Sequence, residues 1–261
     1  MRELLSWLNQ PDEWLKSTSE GVGESPILTY IQFGTARAEA VNAGIMFPAP
    51  KVETKIFQKL VSTQSEAGFW HLEPEGNVGS PGTYGNALAS YQAISLLKSA
   101  PSKIYGSTIQ RCYHWAAGFE PKATVDVAAI ALILSDADSA PWKQRSKTWR
   151  LHLLKSQNQD GGWGPFPNRF SEVFDTAIAS IALSQRSHID ENRDHLKQAR
   201  TFLIGTQEED GGWPETTRPT GGVSYAQHIS TTSWALIALS LLSEPAQPII
   251  ATPDGHKKTQ D

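Results

Sequence analysis

Two carboxylates, Asp126 and Asp175, stand where Ala-rich apolar segments begin, and Glu172 and His228 lie just upstream of two such segments. A carboxyl at a helix start has two uses. It accepts a backbone N–H as an N-cap, or, where the rim faces an aromatic-lined hollow, it holds its proton and acts as a general acid. Asn86 and Thr231 occupy the matching place in two other segments and are cap types as well. Tyr84, Tyr91, Trp115, Phe174, Tyr225 and Trp234 supply π-faces that either pack a core or line a pocket, where each ring stabilises a cation by about 0.5–2 kcal/mol. Other chemistries are absent from the sequence. Gly161-Gly162 and Gly211-Gly212 lack the Lys-Ser/Thr of a phosphate loop, and no G-x-S-x-G occurs. A single cysteine, Cys112, excludes both a disulfide framework and a CxxC zinc knuckle.

The elements that must position these residues recur along the chain. Gln64 to Trp70, Gln157 to Trp163 and Gln207 to Trp213 all fit Q-x-x-x-G-x-W, and weaker copies surround Gly23 and Gly118. The five glycines are spaced 45, 50, 43 and 50 residues apart. A period of this size signals stacked supersecondary units. Each glycine follows an amphipathic helical pattern and suits a helix C-terminus with positive φ. Each precedes a more apolar pattern: 26–44, 86–99, 125–135, 175–184 and 231–243. Segments such as Ala177 to Leu183 are apolar all round, as in a helix buried on most faces. The reading is all-α: an α/α toroid of about five helical hairpins over residues 1–243, with inner helices around an axis. A tail over 244–261, with three prolines, reads as a mobile end.

Composition sets the outer limits. At 39% apolar and 19% charged residues the chain can build a core. A net charge of −4 without a basic stripe argues against nucleic acid as a partner. Met1 to Trp14 carries Arg2, Glu3, Asp12 and Glu13 in place of the apolar stretch of a secretory leader, and no apolar run reaches about 18 residues. The expectation is a cytoplasmic soluble protein. A five-unit ring open on one side would be closed by a homodimer or a partner, and an oily hollow also fits peripheral contact with a membrane.

The Q-x-x-x-G-x-W copies, the aromatic-Leu pairs Trp14-Leu15 and Phe202-Leu203, and Asp175-Thr176-Ala177 resemble the repeat of squalene-hopene and oxidosqualene cyclases, class II diterpene cyclases and protein prenyltransferase β subunits. The resemblance implies that Gln157, Trp163, Gln207 and Trp213 tie units together rather than form a site. It also implies that the proton donor lies in an Asp-x-Asp-Asp-Thr-Ala motif. The matching segment here is Glu172-Val-Phe-Asp-Thr-Ala177, with Phe174 replacing the middle, proton-delivering Asp. The acid is therefore expected among Asp175, Asp126, Glu172 and His228. Substrate contacts are expected from Phe174, Tyr84, Asn86, Tyr91, Trp115, Tyr225 and Trp234. The prenyltransferase branch implies zinc on an Asp-x-Cys and a His, but Ala177 and Thr231 stand in two of those places, so no metal is expected. The implied function is acid-initiated cyclisation of an isoprenoid or other hydrophobic chain, with no required cofactor; Mg²⁺ enters only for a diphosphate substrate. The alternatives are a non-catalytic toroid holding a hydrophobic ligand or a protein, and a zinc prenyltransferase-like chain.

Overall fold

The computed structural model describes residues 2–14, 25–72, 84–100, 103–185, 191–216 and 225–243. These residues form ten helices: α1 (Arg2–Leu8), α2 (Pro26–Asn42), α3 (Pro50–Thr63), α4 (Gly85–Lys98), α5 (Gly106–Gly118), α6 (Thr124–Ser135), α7 (Ala140–Ser156), α8 (Val173–Leu183), α9 (Arg193–Gly205) and α10 (Tyr225–Leu242). Among the described residues there is no strand, only an isolated bridge between Trp163 and Glu172.

The even-numbered helices are the inner layer, each packed on the next from α2 to α10, and each odd-numbered helix lies against one or two of them. Composition explains the layering. All eleven residues of α8 are buried, and in α6 only Asp126 and Ser135 are not. Small Ala residues at 128, 129, 131, 177, 179 and 182 let these helices approach closely. The outer α3 buries only Ile56, Phe57 and Leu60 and leaves Lys51 and Lys55 exposed. Proline at the first position starts α2 and α3, where its missing N–H has no intrahelical acceptor to lose.

The Q-x-x-x-G-x-W segment performs the same construction three times. The indole N–H of Trp70, Trp163 and Trp213 donates to a carbonyl near the end of the preceding outer helix: Leu60 at 2.9 Å, Leu153 at 2.8 Å and Leu203 at 2.6 Å. The Trp backbone N–H in turn donates to a hydroxyl on the following inner helix: Ser90, Thr176 or Thr232 at 2.9–3.0 Å. One residue thereby fixes the end of an outer helix to the inner helix of its own hairpin. The Gln amide closes the loop onto the glycine carbonyl in all three copies. In the first two it reaches the next outer helix as well, donating to Thr108 O at 2.9 Å and His195 O at 3.0 Å.

Gly68 and Gly161 are needed twice over, for their backbone conformation and for close approach. Gly68, Gly161 and Gly211 have φ of 101°, 88° and 87°. A Cβ on Gly68 would lie 2.4 Å from Arg111 O and one on Gly161 2.6 Å from Gln198 O, whereas a Cβ on Gly211 would meet nothing within 4 Å among the described residues. The weak copy at Gly118 differs. That residue is the last of α5 and lacks positive φ; here Arg145 of α7 bridges to Phe119 O at 2.9 Å and Glu120 at 2.6 Å. Gly23, Leu15 and the tail 244–261 lie outside the described residues.

The first four inner helices begin within two residues of expectation, but α10 begins at Tyr225, six residues before Thr231. Expectation also misplaced the caps. Asn86, Asp126 and Asp175 sit inside the first turn, and the cap residues of α4, α6 and α8 make no side-chain capping bond. Counted from the hydroxyls Ser90, Thr176 and Thr232, Asn86 is the counterpart of Glu172 and His228 rather than of Asp175.

Candidate active site at the N-terminal rim of the inner helices

Asp175 is the third residue of α8, with 0% exposure, and is the one fully buried carboxylate among the described residues. The apolar residues around it in the chain, Val173, Phe174, Ala177 and Ile178, are buried with it. Asp126 has the same place in α6 and is half-buried; its Oδ1 would be 3.4 Å from a Cβ on Gly85, where α4 begins. Tyr84, just before α4, and Trp234, in the middle of α10, bring their rings to 6.3 Å. Burial pushes the Tyr84 phenol well above the usual tyrosine range. Asp126, Asp175, Tyr84 and Trp234 thus all belong to the inner layer.

The remaining expected residues divide. Phe174 is 3% exposed and packs in the core. Glu172 precedes α8 in extended conformation; its backbone N–H donates to Trp163 O at 2.9 Å and its carbonyl accepts from Thr176 N at 3.0 Å, so its main chain is part of the repeat junction. Asn86 accepts from Leu72 N at 2.9 Å and holds the loop after Trp70. Tyr91 lies two turns along α4 from Tyr84, with Lys98 and Asp136 of the helix C-terminal ends among its electrostatic neighbours. Trp115 belongs to outer helix α5 and stacks on Phe69 at 5.2 Å, with Phe119 at 5.0 Å, so it is a junction residue and not part of the inner layer. Tyr225 opens α10, and its side chain is outside the described residues. The imidazole of His228 faces Glu208, Asp210 and Glu215 of the preceding loop.

The residues at the prenyltransferase zinc positions, Asp175, Ala177 and Thr231, are buried and include one ligand type only. Cys112 is buried on α5, its thiol pushed up to about 12 by burial, and so is no thiolate at neutral pH. A cavity of about 170 Å³ lies elsewhere, between α2, α3 and the end of α4, and none of the expected site residues lines it. On its wall Arg37, 1% exposed, donates to Glu53 at 2.9 Å and Asn9 at 3.1 Å. Two features escaped sequence reasoning. The Ser90, Thr176 and Thr232 hydroxyls follow their Trp at spacings of 20, 13 and 19 residues, which conceal the pattern. The grouping around His228 mixes loop and helix positions 13 to 20 residues apart.

Residues 122–251 match the family model of the squalene-hopene cyclase C-terminal domain. A terpene cyclase/mutase of Nectria sp, ntnI, is 30% identical over 102 residues, which is 37% of this chain and 14% of that protein. Lanosterol synthase of Pneumocystis carinii is 32% identical over 103 residues, 36% of this chain and 14% of that enzyme. The alignments thus span about a seventh of either relative. No helix among the described residues is long and apolar enough to cross a membrane. The helical-hairpin layers, the Gln-Trp junctions and the match over residues 122–251 together assign this chain to the class II terpene cyclase superfamily, with a domain of the squalene-hopene cyclase C-terminal type.

Proposed function

We propose that the chain acts as a terpene-cyclase domain that holds an isoprenoid or similar hydrophobic chain at the N-terminal rim of α4, α6, α8 and α10, with Asp175 as the acid. One observation carries this reading: Asp175 is the only fully buried carboxylate among the described residues. A carboxyl held out of water among the apolar residues of α8 has its protonation set by its surroundings in the protein rather than by solvent. An enclosed carboxyl serves acid chemistry, because exclusion of water favours its protonated form and protects a cationic intermediate. In that step the carboxyl O–H delivers its proton to a terminal alkene carbon. The tertiary cation formed is captured by the π electrons of the next double bond, and final proton loss leaves an isomer of the substrate. Asp126 stands one helix away as a second carboxylate, and Tyr84 and Trp234 offer faces to the cation. Residues 1–243 act as one unit in this reading, and Mg²⁺ has a part only if the substrate carries a diphosphate.

The test is Asp175→Asn, which preserves shape, assayed by product analysis on a panel of linear isoprenoids. Turnover should fall at least ~100-fold with the thermal midpoint little changed, while unaltered product formation rejects the assignment. Phe174 favours a second reading, since a phenyl ring stands where the resemblance places the acid: a toroid that binds a hydrophobic ligand without chemistry. Native mass spectrometry of protein from its own host, showing a bound lipid that is never converted, selects that one.

A further inference from the structure

The loop between α9 and α10 carries a group of side chains with no part in the rim chemistry. The Nδ1 atom of His228 is 3.6 Å from Glu215 Oε2 and 4.0 Å from Glu208 Oε2, and its Nε2 is 4.0 Å from Asp210 Oδ2. One ligand atom from each of Glu208, Asp210 and His228 lies within 4.8 Å of the other two. We propose that Glu208, Asp210, Glu215 and His228 bind one divalent cation of the zinc class, and that this cation clamps the 207–216 loop to the first turn of α10.

The protein contains its own control for this site. The loop 157–163 has the same backbone: Asn158 N donates to Gly162 O, and Glu208 N to Gly212 O, both at 2.9 Å. Gly162 N donates to Asp160 at 3.0 Å and Gly212 N to Asp210 at 2.8 Å. In the earlier loop the space beside the second glycine holds Ser171, which receives from Asn158 at 2.9 Å and donates to Asp160 at 2.8 Å. That network is neutral apart from one carboxylate and complete in hydrogen bonds. In the later loop Glu208 replaces Asn158 and the ring of His228 replaces Ser171, with Nε2 only 2.6 Å from where a Gly212 Cβ would be. Folding the turn therefore uses one Asp in each copy, Asp160 or Asp210, but requires neither Glu208, Glu215 nor an imidazole. They leave three carboxylates around one ring, at separations too long for hydrogen bonds.

Those separations lie within reach of a metal. Tetrahedral zinc with N and O ligands at about 2.1 Å spaces its ligand atoms about 3.4 Å apart, so atoms now up to 4.8 Å from one another must draw in by up to about 1.4 Å, with one nitrogen of the ring as the ligand. One imidazole with carboxylates suits zinc or manganese rather than the all-oxygen set preferred by calcium and magnesium. The site does not depend on the cyclase assignment, since it shares none of Asp175, Asp126, Tyr84 or Trp234.

The experiment uses the 261-residue chain stripped by a chelator and titrated with Zn²⁺ alone by calorimetry. Co²⁺ serves as a visible-absorption probe of coordination. One equivalent should bind saturably with a rising thermal midpoint, and the His228→Gln and Glu215→Gln variants should each weaken binding at least ~10-fold. Far-UV circular dichroism checks that both variants keep the native helix content. Absence of saturable binding overturns the proposal, as does Zn²⁺ affinity that is unchanged in both folded variants.

Discussion

Gly161 and Gly211 offer a matched pair of substitutions in which backbone strain is constant and packing is not. Both have φ near +88°, where an L side chain costs about 1–2 kcal/mol, partly offset by about 0.4–1 kcal/mol from the stiffer unfolded chain. Gly211→Ala should therefore destabilise by ~1 kcal/mol, since its new methyl meets nothing within 4 Å among the described residues. Gly161→Ala adds a collision, because the methyl would sit 2.6 Å from the carbonyl oxygen of Gln198 and 2.8 Å from its carbon. Both are backbone atoms of α9 and cannot rotate away, so the loop and helix must separate by more than half an ångström. That movement also stretches the 3.0 Å bond from Gln157 to His195 O. Overpacking of this kind costs about 1–3 kcal/mol, so the total is ~2–4 kcal/mol. Urea unfolding followed by circular dichroism reads the difference as a midpoint gap of ~1 M, with equal slopes. Equal losses in the two variants would refute the idea that the glycine loop is a docking surface for the next outer helix. Gly68→Ala, facing Arg111 O at 2.4 Å, should follow Gly161→Ala.

Two further outcomes are expected. Glu53→Ala leaves the buried Arg37 guanidinium without its 2.9 Å partner and should cost about 3–5 kcal/mol; a loss under ~1 kcal/mol in thermal or urea unfolding contradicts this. Cys112 ionises in the unfolded chain near the ordinary thiol value of 9.0, but burial pushes it up to about 12 in the fold. Between those values the unfolded state binds fewer protons, so stability falls as pH rises from 9 toward 12, by up to ~4 kcal/mol. Tyr84 and Tyr91, also raised by burial, act in the same direction at higher pH, so the measured quantity is the flattening of the pH–stability curve in Cys112→Ala; an unflattened curve counts against the assignment.

The repeat was legible because its requirements are local. Only glycine satisfies positive φ and a carbonyl within 3 Å at once, and only tryptophan spans from the loop to the end of the outer helix. Apolar runs as uniform as α6 and α8 set their own limits to within two residues. The start of α10 was not legible, because Tyr225 to Ser230 mixes polar and apolar residues and carries no breaker. Register also misled: N-cap types aligned Asn86 with Asp175, whereas the hydroxyl bonded to each Trp N–H places it with Glu172 and His228. Trp115 shows the limit of counting aromatics, since its half-buried ring serves a seam between units. Asp175 was found for its place before an apolar run, but that it alone among the described carboxylates is wholly enclosed follows from tertiary packing, which no spacing encodes.

The open space beside Gly211 also bears on how such proteins vary in size. Gln207, Gly211 and Trp213 keep the full set of bonds to their own hairpin, and among the described residues no outer helix rests on them. In a stack where energy is mostly nearest-neighbour, a joint whose bonds are complete within its own hairpin keeps its shape whether or not a further module packs on it. Lengthening by tandem duplication would then need no reshaping of what came before, and hairpin number is free to drift while each joint stays the same.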